Sequence, residues 1–557
     1  MDITSDKIPL SVREYAHKPG LLLGGLVGLL LIVPVVAIFF LGDALLGLPF
    51  VPFDVFDWIA RVLPGEVITF GIDIMVGVIR AFNLGETSSA AKNAEHLMAV
   101  GGLIGTGVAA AAIFFFVQNR TQQRASGALP GWVLGLVVGI PLMLVSNSVN
   151  FTSTVGPLLR AVWILIVFLG WGTACNLIYH DLELMSVRRS ATVAAIDRRS
   201  FLLRVGGAAA TITVVGAGLG VLLRPNPEPE SSGLPATASL DTEQTGVRPE
   251  ELPNANDPVK PAPGTRAEYT PVEQHYRIDI SSRPPVIDGA TYTLPIKGLV
   301  DNPLNLTLDD IRSNYEPIDQ FVTLQCISNP LGGDLISTTM WTGASLRKIL
   351  ADAGLQSDAA YLRIYSADGF DETLSIDLIN QDERIMLAYD WDRRPLTEKH
   401  GFPLRIYIPD RYGMKQPKWI INIEVVADYQ DGYWVRRGWD EIAQMRTTSV
   451  IDTVATDAIS RKDGQFLVPI GGIAHAGARE ISKVEVKVDE GEWVEAELRA
   501  PLSTTSWRIW RYDWPFEEGR HVFQVRAYDG QGILQIERFE GARPSGATGI
   551  DSMTVSL

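Results

Sequence analysis

Through the first 223 residues apolar positions come in long unbroken runs, whereas from Arg224 onward they alternate with polar ones or sit in short clusters divided by Pro, Asp and Glu. Runs of roughly 19–22 apolar residues, the length a helix needs to cross a hydrocarbon core of about 30 Å, occupy 21–41, 97–117, 131–149, 158–179 and 205–223. They predict five membrane spans. A shorter apolar stretch at 67–79 carries Asp73 and follows Pro64 and Gly65, which predicts an interfacial or re-entrant helix. From about Glu273 the pattern becomes one of short strands, with one helix predicted over 345–353. Within it, Leu404, Ile406 and Ile408 fall on one face of a strand and Arg405 and Tyr407 on the other, and 419–426 reads as a second buried strand. Near the C-terminus Val484, Val486 and Val488 alternate with charged residues, and Phe523, Val525 and Ala527 repeat the pattern, as in a β-sandwich.

This patterning predicts a multidomain chain: an α-helical membrane domain over 1–223, a linker over 224–270, an α+β domain over 271–448 and an all-β sandwich over 449–557. The linker is rich in Pro, Glu, Ser and Asn with few aromatic residues, a composition that predicts an extended, disordered tether. Trp507, Trp510 and Trp514 of the last domain are candidates for core or interface.

Charge orients the spans. Arg120 and Arg124 lie in one short loop and Arg188, Arg189, Arg198 and Arg199 in another, and with five spans both loops fall on one side, which the positive-inside rule makes the cytoplasm. The expectation is a multi-pass cell-membrane protein with residues 224–557 on the extracytoplasmic side. The last span opens with DRRSFLL at 197–203 before a Gly- and Ala-rich run, which resembles an internal twin-arginine export signal of the kind that carries folded cargo.

The net charge of −16 and the lack of a basic stripe argue against a nucleic-acid surface. His96 and His180 are placed at opposite faces of the membrane half, so no bis-His haem is expected. Only two cysteines occur, Cys175 in an apolar run and Cys326 in the strand-rich half, and no disulfide between them is expected. Cys326 lies where a strand runs into a glycine-bearing loop. A lone thiol there is either a packed core residue or a reactive ligand.

Four stretches in order, VTLQCISNPLGGD (322–334), WTGASL (341–346), HGFPLR (400–405) and YGMKQPKW (412–419), resemble the molybdopterin-binding domain of the sulfite oxidase family. Residues 471–557 are similar to that family's immunoglobulin-like dimerisation domain, which would imply a homodimer. The resemblance implies molybdenum–molybdopterin as cofactor, with Cys326 the thiolate ligand of the metal. It implies phosphate binding by His400, Arg405 and Lys418, backbone contacts from Gln416 and Pro417, and cofactor contacts from Tyr276, Arg277 and Asp368. Without it, His400 reads as a loop histidine and Lys418 as an exposed strand end.

Two departures bear on the substrate. Sulfite-oxidising members of that family carry arginines shortly after the ligand cysteine, where this chain has Pro330 and Leu331, and at the position of their active-site tyrosine, in YWVRRGW (433–439), it has Trp439. Arg436 and Arg437 remain as candidate cations. The expectation is therefore two-electron oxygen-atom transfer on a small oxo donor or acceptor other than sulfite, in a pocket walled by the 329–334 loop and Trp439, with a separate cytochrome or quinone-linked electron carrier. The alternatives are a sulfoxide or N-oxide reductase and, in a different class, a non-enzymatic surface binding module.

Overall fold

The computed structural model describes residues 19–82, 85–121, 127–150, 155–190, 198–222 and 246–557. These residues divide into two units, a helical one and a β-rich one; the helical unit takes the residues up to 63, those from 92 to 222, and 280–283. The helices of the N-terminal part are α1 (Leu21–Leu46), α2 (Val51–Val62), α3 (Gly65–Ala81), α4 (Thr87–Arg120), α5 (Leu129–Val149), α6 (Pro157–Ser190) and α7 (Arg198–Leu222). Five of them, α1, α4, α5, α6 and α7, are long and apolar enough to cross a membrane, and they cover the five predicted spans, the last as far as Leu222. The interfacial stretch predicted over 67–79 is α3, which groups with the β-rich unit.

Small residues let the long helices approach one another. A Cβ on Gly172 of α6 would lie 2.1 Å from the Gly131 carbonyl oxygen of α5, so this contact admits glycine alone. The short segment 280–283 is clasped by the helical unit: the Asp57 carboxylate accepts hydrogen bonds from the Ser282 amide (2.9 Å) and hydroxyl (2.6 Å). His96 stacks on Phe53 at 4.4 Å, with Nε2 3.0 Å from the Ser282 carbonyl.

The β-rich unit contains two sheets that frame an α+β domain and two that form a sandwich. The first sheet runs in the order Leu304–Thr307, Thr293–Gly298, Ile420–Val426, Tyr361–Ser366, Asp371–Ser375. The second pairs Pro317–Gln325 with Ile336–Ser345 and then Met386–Trp391, to which Arg405–Tyr407 adds as an edge. The predicted helix forms as Leu346–Ala353, started by the Ser345 hydroxyl accepting from the Lys348 amide and stopped by Gly354 at φ +66°. Helices Leu308–Asn314 and Ile376–Gln381 were not predicted, because two turns carry too few apolar positions to set a period.

In the C-terminal part the predicted alternation becomes register: Val484 faces Ala527, Val486 faces Val525 and Val488 faces Phe523. That sheet and the one containing Gln465–His475 and Arg508–Pro515 share an apolar core that includes Trp510 and Trp514, and Trp507 is buried beside Ile336, Val450 and Ile473. All three tryptophans are therefore interior.

The extended tether expected over 224–270 needs correction in its second part. Residues 246–270 pack onto the β-rich unit: buried Glu268 accepts from Arg499 Nε (2.9 Å) and Asn254 Nδ2 (2.5 Å), the Trp507 indole donates to the Glu268 carbonyl (3.1 Å), and Arg266 makes a fork of bonds to Asp452. Buried Arg and Glu anchors outweigh a disorder-prone composition here because each finds its partner on a preformed β surface. Residues 224–245, the rest of the predicted tether, lie outside the described residues.

Candidate cofactor and active site

Strand Pro317–Gln325 pairs residue for residue with Ile336–Ser345 up to Gln325 opposite Ile336, so Cys326 is the first residue of the connecting loop. Its amide still donates to the Leu335 carbonyl (3.0 Å), and its carbonyl accepts from the Asn329 amide (3.0 Å). Asn329, itself buried, closes the loop by accepting the Leu335 amide on Oδ1 (3.0 Å). The thiol is thus held in place by backbone on both sides. It is buried among Tyr276, Leu324, Trp341, Phe402 and Tyr407, and burial pushes its pKa up, opposed by the Ser328 hydroxyl 3.0 Å from Sγ. A metal ion at Sγ would reverse that balance, since coordination favours the thiolate.

The predicted alternation at 404–408 decides the next group. Leu404, Ile406 and Ile408 enter the core between helix Leu346–Ala353 and the first sheet, while Tyr407 packs in the cluster that contains Cys326. Arg405 follows Tyr407, its guanidinium carbon 4.4 Å from the Trp341 ring centroid. Only 3 % exposed, it donates from Nη1 to the His400 carbonyl (3.1 Å), and its Nε has no partner. Burial without a carboxylate among the described residues lowers its pKa to about 10.

Lys418 and Arg277 share one counterion, Asp279, which accepts from Lys418 Nζ (3.0 Å) and Arg277 Nε (2.7 Å). Burial brings Lys418 down to about 8 despite that partner. Gly401 lets these groups converge: it adopts φ +113°, and a Cβ there would come within 3.2 Å of both Arg405 Cβ and Lys418 Cβ. His400 lies 4.5 Å from the Trp391 ring and 5.5 Å from the His275 ring, and burial holds its pKa well below the usual histidine range. His275 titrates at about 3 for the same reason. Its Nδ1 is 3.1 Å from the Tyr276 carbonyl, so Nδ1 carries the proton and donates, leaving Nε2 as a buried acceptor with no partner.

Not every predicted residue has its side chain free for a ligand. Gln416 donates to the Ile408 (3.3 Å) and Arg411 (2.8 Å) carbonyls and keeps an unpartnered Oε1, and the Pro417 carbonyl accepts the Ile406 amide. Asp368 accepts the Phe370 amide in the turn before Asp371–Ser375, and the preceding residue, Ala367, donates its amide to the Trp419 carbonyl beside Lys418. Tyr276 is buried over Gly413, where a Cβ would meet its hydroxyl at 3.2 Å. Trp439 packs instead with Ile327, Tyr412 and Met414, under Arg543 at 5.2 Å. Arg436 is committed to Asp371 through two bonds of 2.5 and 2.9 Å.

Sequence reasoning missed His275, Trp341 and Trp391 as parts of this chamber. Trp341 lay inside a quoted motif and His275 directly precedes Tyr276, so adjacency was the available signal. It also missed the buried pair Glu372–Lys415, whose Oε1 and Nζ are 2.6 Å apart beneath the 412–419 segment. Lys415→Met strands a fully buried carboxylate already pushed upward by burial and is expected to cost about 3–5 kcal/mol in urea unfolding. Pairing it with Glu372→Gln is expected to recover most of that loss.

The chamber fits an anionic pterin–phosphate cofactor with a soft metal end. Arg405 Nε, His275 Nε2, Trp341 Nε1 and Trp391 Nε1 are buried without partners, beside two lowered cationic groups and one thiol. Buried polar atoms in native folds are otherwise almost always paired.

Residues 281–434 match the family described as oxidoreductase molybdopterin binding domain. The chain is 30 % identical over 271 residues to the mitochondrial sulfite oxidase of Mus musculus, covering 41 % of this chain and 50 % of that one. It is 29 % identical over 294 residues to the sulfite oxidase of Arabidopsis thaliana (44 % and 74 %), and 26 % identical over 346 residues to a nitrate reductase [NAD(P)H] of Hordeum vulgare (51 % and 39 %). The solved sulfane dehydrogenase SoxCD of Paracoccus pantotrophus aligns with 18 % identity and a TM-score of 0.45, over 60 % of this chain and 96 % of that one. Residues 281–434 thus form a molybdopterin-binding oxidoreductase domain, in a chain that is similar to sulfite oxidases. It spans about half the length of the mammalian sulfite oxidases that it matches.

Proposed function

We propose that this protein is a molybdenum oxidoreductase held in the cell membrane by five helices, with its β-rich unit outside, and that it transfers an oxygen atom to or from a small uncharged substrate. The observation that supports this most is the convergence of Cys326, Arg405, Lys418 and the His275–His400 pair on one chamber of unpartnered donors and acceptors. Bound there, molybdenum–molybdopterin would supply two-electron oxygen-atom transfer with water as source or product of the oxygen.

The chain's own residues have separate tasks in this reading. Arg405, Lys418 and His400 hold the phosphate, the two cations as charge-assisted donors. Cys326 binds the metal as thiolate, and the Ser328 hydroxyl donates to that sulfur and keeps it ionised. His275, fixed with its proton on Nδ1, offers Nε2 as an acceptor to the pterin ring, and the Trp341 and Trp391 indoles offer donors. Trp439 contributes an indole N–H without a partner and a broad apolar wall.

The relatives named above act, by their names, on the anions sulfite and nitrate. Here the loop after Cys326 carries no cation at the places where sulfite oxidisers have one: Leu331 packs against Ile336, Val450, Ile473 and Trp507. Arg266, which lines the pocket beside Leu331, is neutralised by Asp452, and Arg436 by Asp371. An uncharged sulfoxide or N-oxide suits such a pocket better than sulfite, which would lose its hydration without gaining an ion pair. Purified enzyme is expected to reduce methionine sulfoxide with reduced viologen faster than it reduces an acceptor with sulfite; turnover of sulfite alone would overturn this substrate class. Leu331→Arg is expected to raise the sulfite kcat/KM about tenfold or more, equivalent to about 1.4 kcal/mol.

The twin-arginine-like segment supports export after the cofactor is in place. A separate electron carrier, cytochrome or quinone-linked, and a homodimer built on the sandwich belong to the same reading.

A further inference from the structure

Helix α3 lies in the chain between two candidate membrane spans, yet its contacts belong to the molybdopterin unit, as do residues 64–91 generally. At its start, a Cβ on Gly65 would fall 2.6 Å from Arg437 Cα, so helix and turn are in backbone contact. Just past its end, the Thr87 amide donates to Asp334 Oδ2 at 2.7 Å. These two anchor points flank the site. Arg437 leads to Trp439, which packs with Ile327 beside Cys326, and Asp334 ends the loop that Cys326 begins. A helix of 17 residues is about 25 Å long, and along the chain α3 lies between these two anchor points.

Its outward face is an apolar ridge. Val67, Phe70, Ile74, Val78 and Phe82, three or four residues apart, are 45–72 % exposed. Surfaces in water rarely keep so continuous an apolar face. Along the chain, α1 ends 21 positions before Val67 and α4 begins five positions after Phe82, so short lengths of chain join this ridge to two helices of bilayer-spanning length. Such tethering makes lipid, rather than a second protein, the surface within reach.

We propose that the ridge of α3 is seated in the outer leaflet of the bilayer, that α3 forms a lipid-bound strap across the rim of the Cys326 site, and that the substrate admitted beneath it is an apolar sulfoxide dissolved in that leaflet. This inference rests on the oxygen-atom transfer reading above and narrows its substrate. In the step, one dialkyl sulfoxide takes up two electrons and two protons and yields one dialkyl sulfide and one water. The sulfur–oxygen bond breaks, the oxygen leaves as that water, and both electrons are supplied in the assay by reduced viologen.

The test uses the full chain in phosphatidylcholine–phosphatidylglycerol nanodiscs. Nitroxide labels at Phe70→Cys, Ile74→Cys and Val78→Cys, in a Cys175→Ser background, are expected to collide with oxygen several-fold more often, relative to a water-soluble nickel chelate, than a label at Glu86→Cys. Equal ratios at all positions, or low collision with both reagents as for a face covered by a second copy, would overturn the lipid seat. Methyl dodecyl sulfoxide is expected to show a KM at least tenfold below that of dimethyl sulfoxide, and Ile74→Glu to remove that advantage while molybdenum content and dimethyl sulfoxide turnover stay unchanged. A chain-length effect that survives Ile74→Glu overturns the strap. Absence of pterin and of all viologen turnover would instead sink the underlying enzymatic reading, leaving the label ratios to decide the lipid seat independently.

Discussion

Cys326→Ser is expected to reduce viologen-linked turnover by at least a thousandfold while the pterin remains bound. The sulfur at this position is fixed by the Leu335 carbonyl behind it and the Asn329 amide ahead of it, so a serine oxygen would occupy the same place with nearly the same volume. What changes is the donor: a hard alkoxide in place of a soft thiolate, at a metal whose reactivity depends on sulfur. Arg405 and Lys418, the residues proposed to hold the phosphate, lie on other segments of chain and are untouched. Pterin fluorescence after denaturation should therefore match the unaltered protein while turnover and the sulfur-to-metal charge-transfer absorption disappear. Full turnover by the serine variant would exclude Cys326 as the ligand.

Arg405→Met is expected to give protein with less than a tenth of the normal pterin and molybdenum. The guanidinium is buried against Trp341 with no carboxylate partner among the described residues, so a bound anion is its natural counter-charge. Methionine fills the space and removes the charge, and the apo protein should be no less stable, because an unpaired buried cation is itself a cost. Lys418 gives a milder version with a pH signature. Folding lowers its pKa to about 8, so in the cofactor-free protein the ammonium is present below that pH and lost above it. Cofactor uptake by apo protein should consequently weaken as pH rises from about 7 through 9. Lys418→Arg, which stays charged throughout, should flatten the profile, and an unchanged profile would remove Lys418 from the phosphate site.

Much of this site was readable before any coordinates. The alternation at 404–408 puts Arg405 opposite the core face, and the lone thiol at a strand end stands apart from the only other cysteine. The sequence did not reveal that the face carrying Arg405 is also buried, because a strand pattern separates two faces without saying what covers the second. Nor could it bring His275 to His400, 125 positions away, since that meeting depends on how two sheets stack. The segment 246–270 misled for a related reason. Its composition describes a chain with little to bury, but Arg266 and Glu268 dock by polar complementarity to Asp452 and Arg499, which no local pattern encodes.

That docked segment carries a mechanical consequence. Glu268 and Trp507 fasten it to the sandwich, while Tyr269 bonds Asp392 and the Thr270 amide bonds the Thr338 carbonyl on the strand paired with the one that ends at Cys326. The same segment is fastened to the second sheet at its start as well, the Val247 amide donating to Asp392 Oδ1 (2.9 Å) and Glu251 pairing with Arg393 (2.7 Å), so a pull from the N-terminal side meets the 391–394 turn before the Arg499–Glu268 pair. Residues 246–270 thereby stitch the second sheet to the sandwich at several points along one short segment, and the strand leading to Cys326 shares any load with the sandwich.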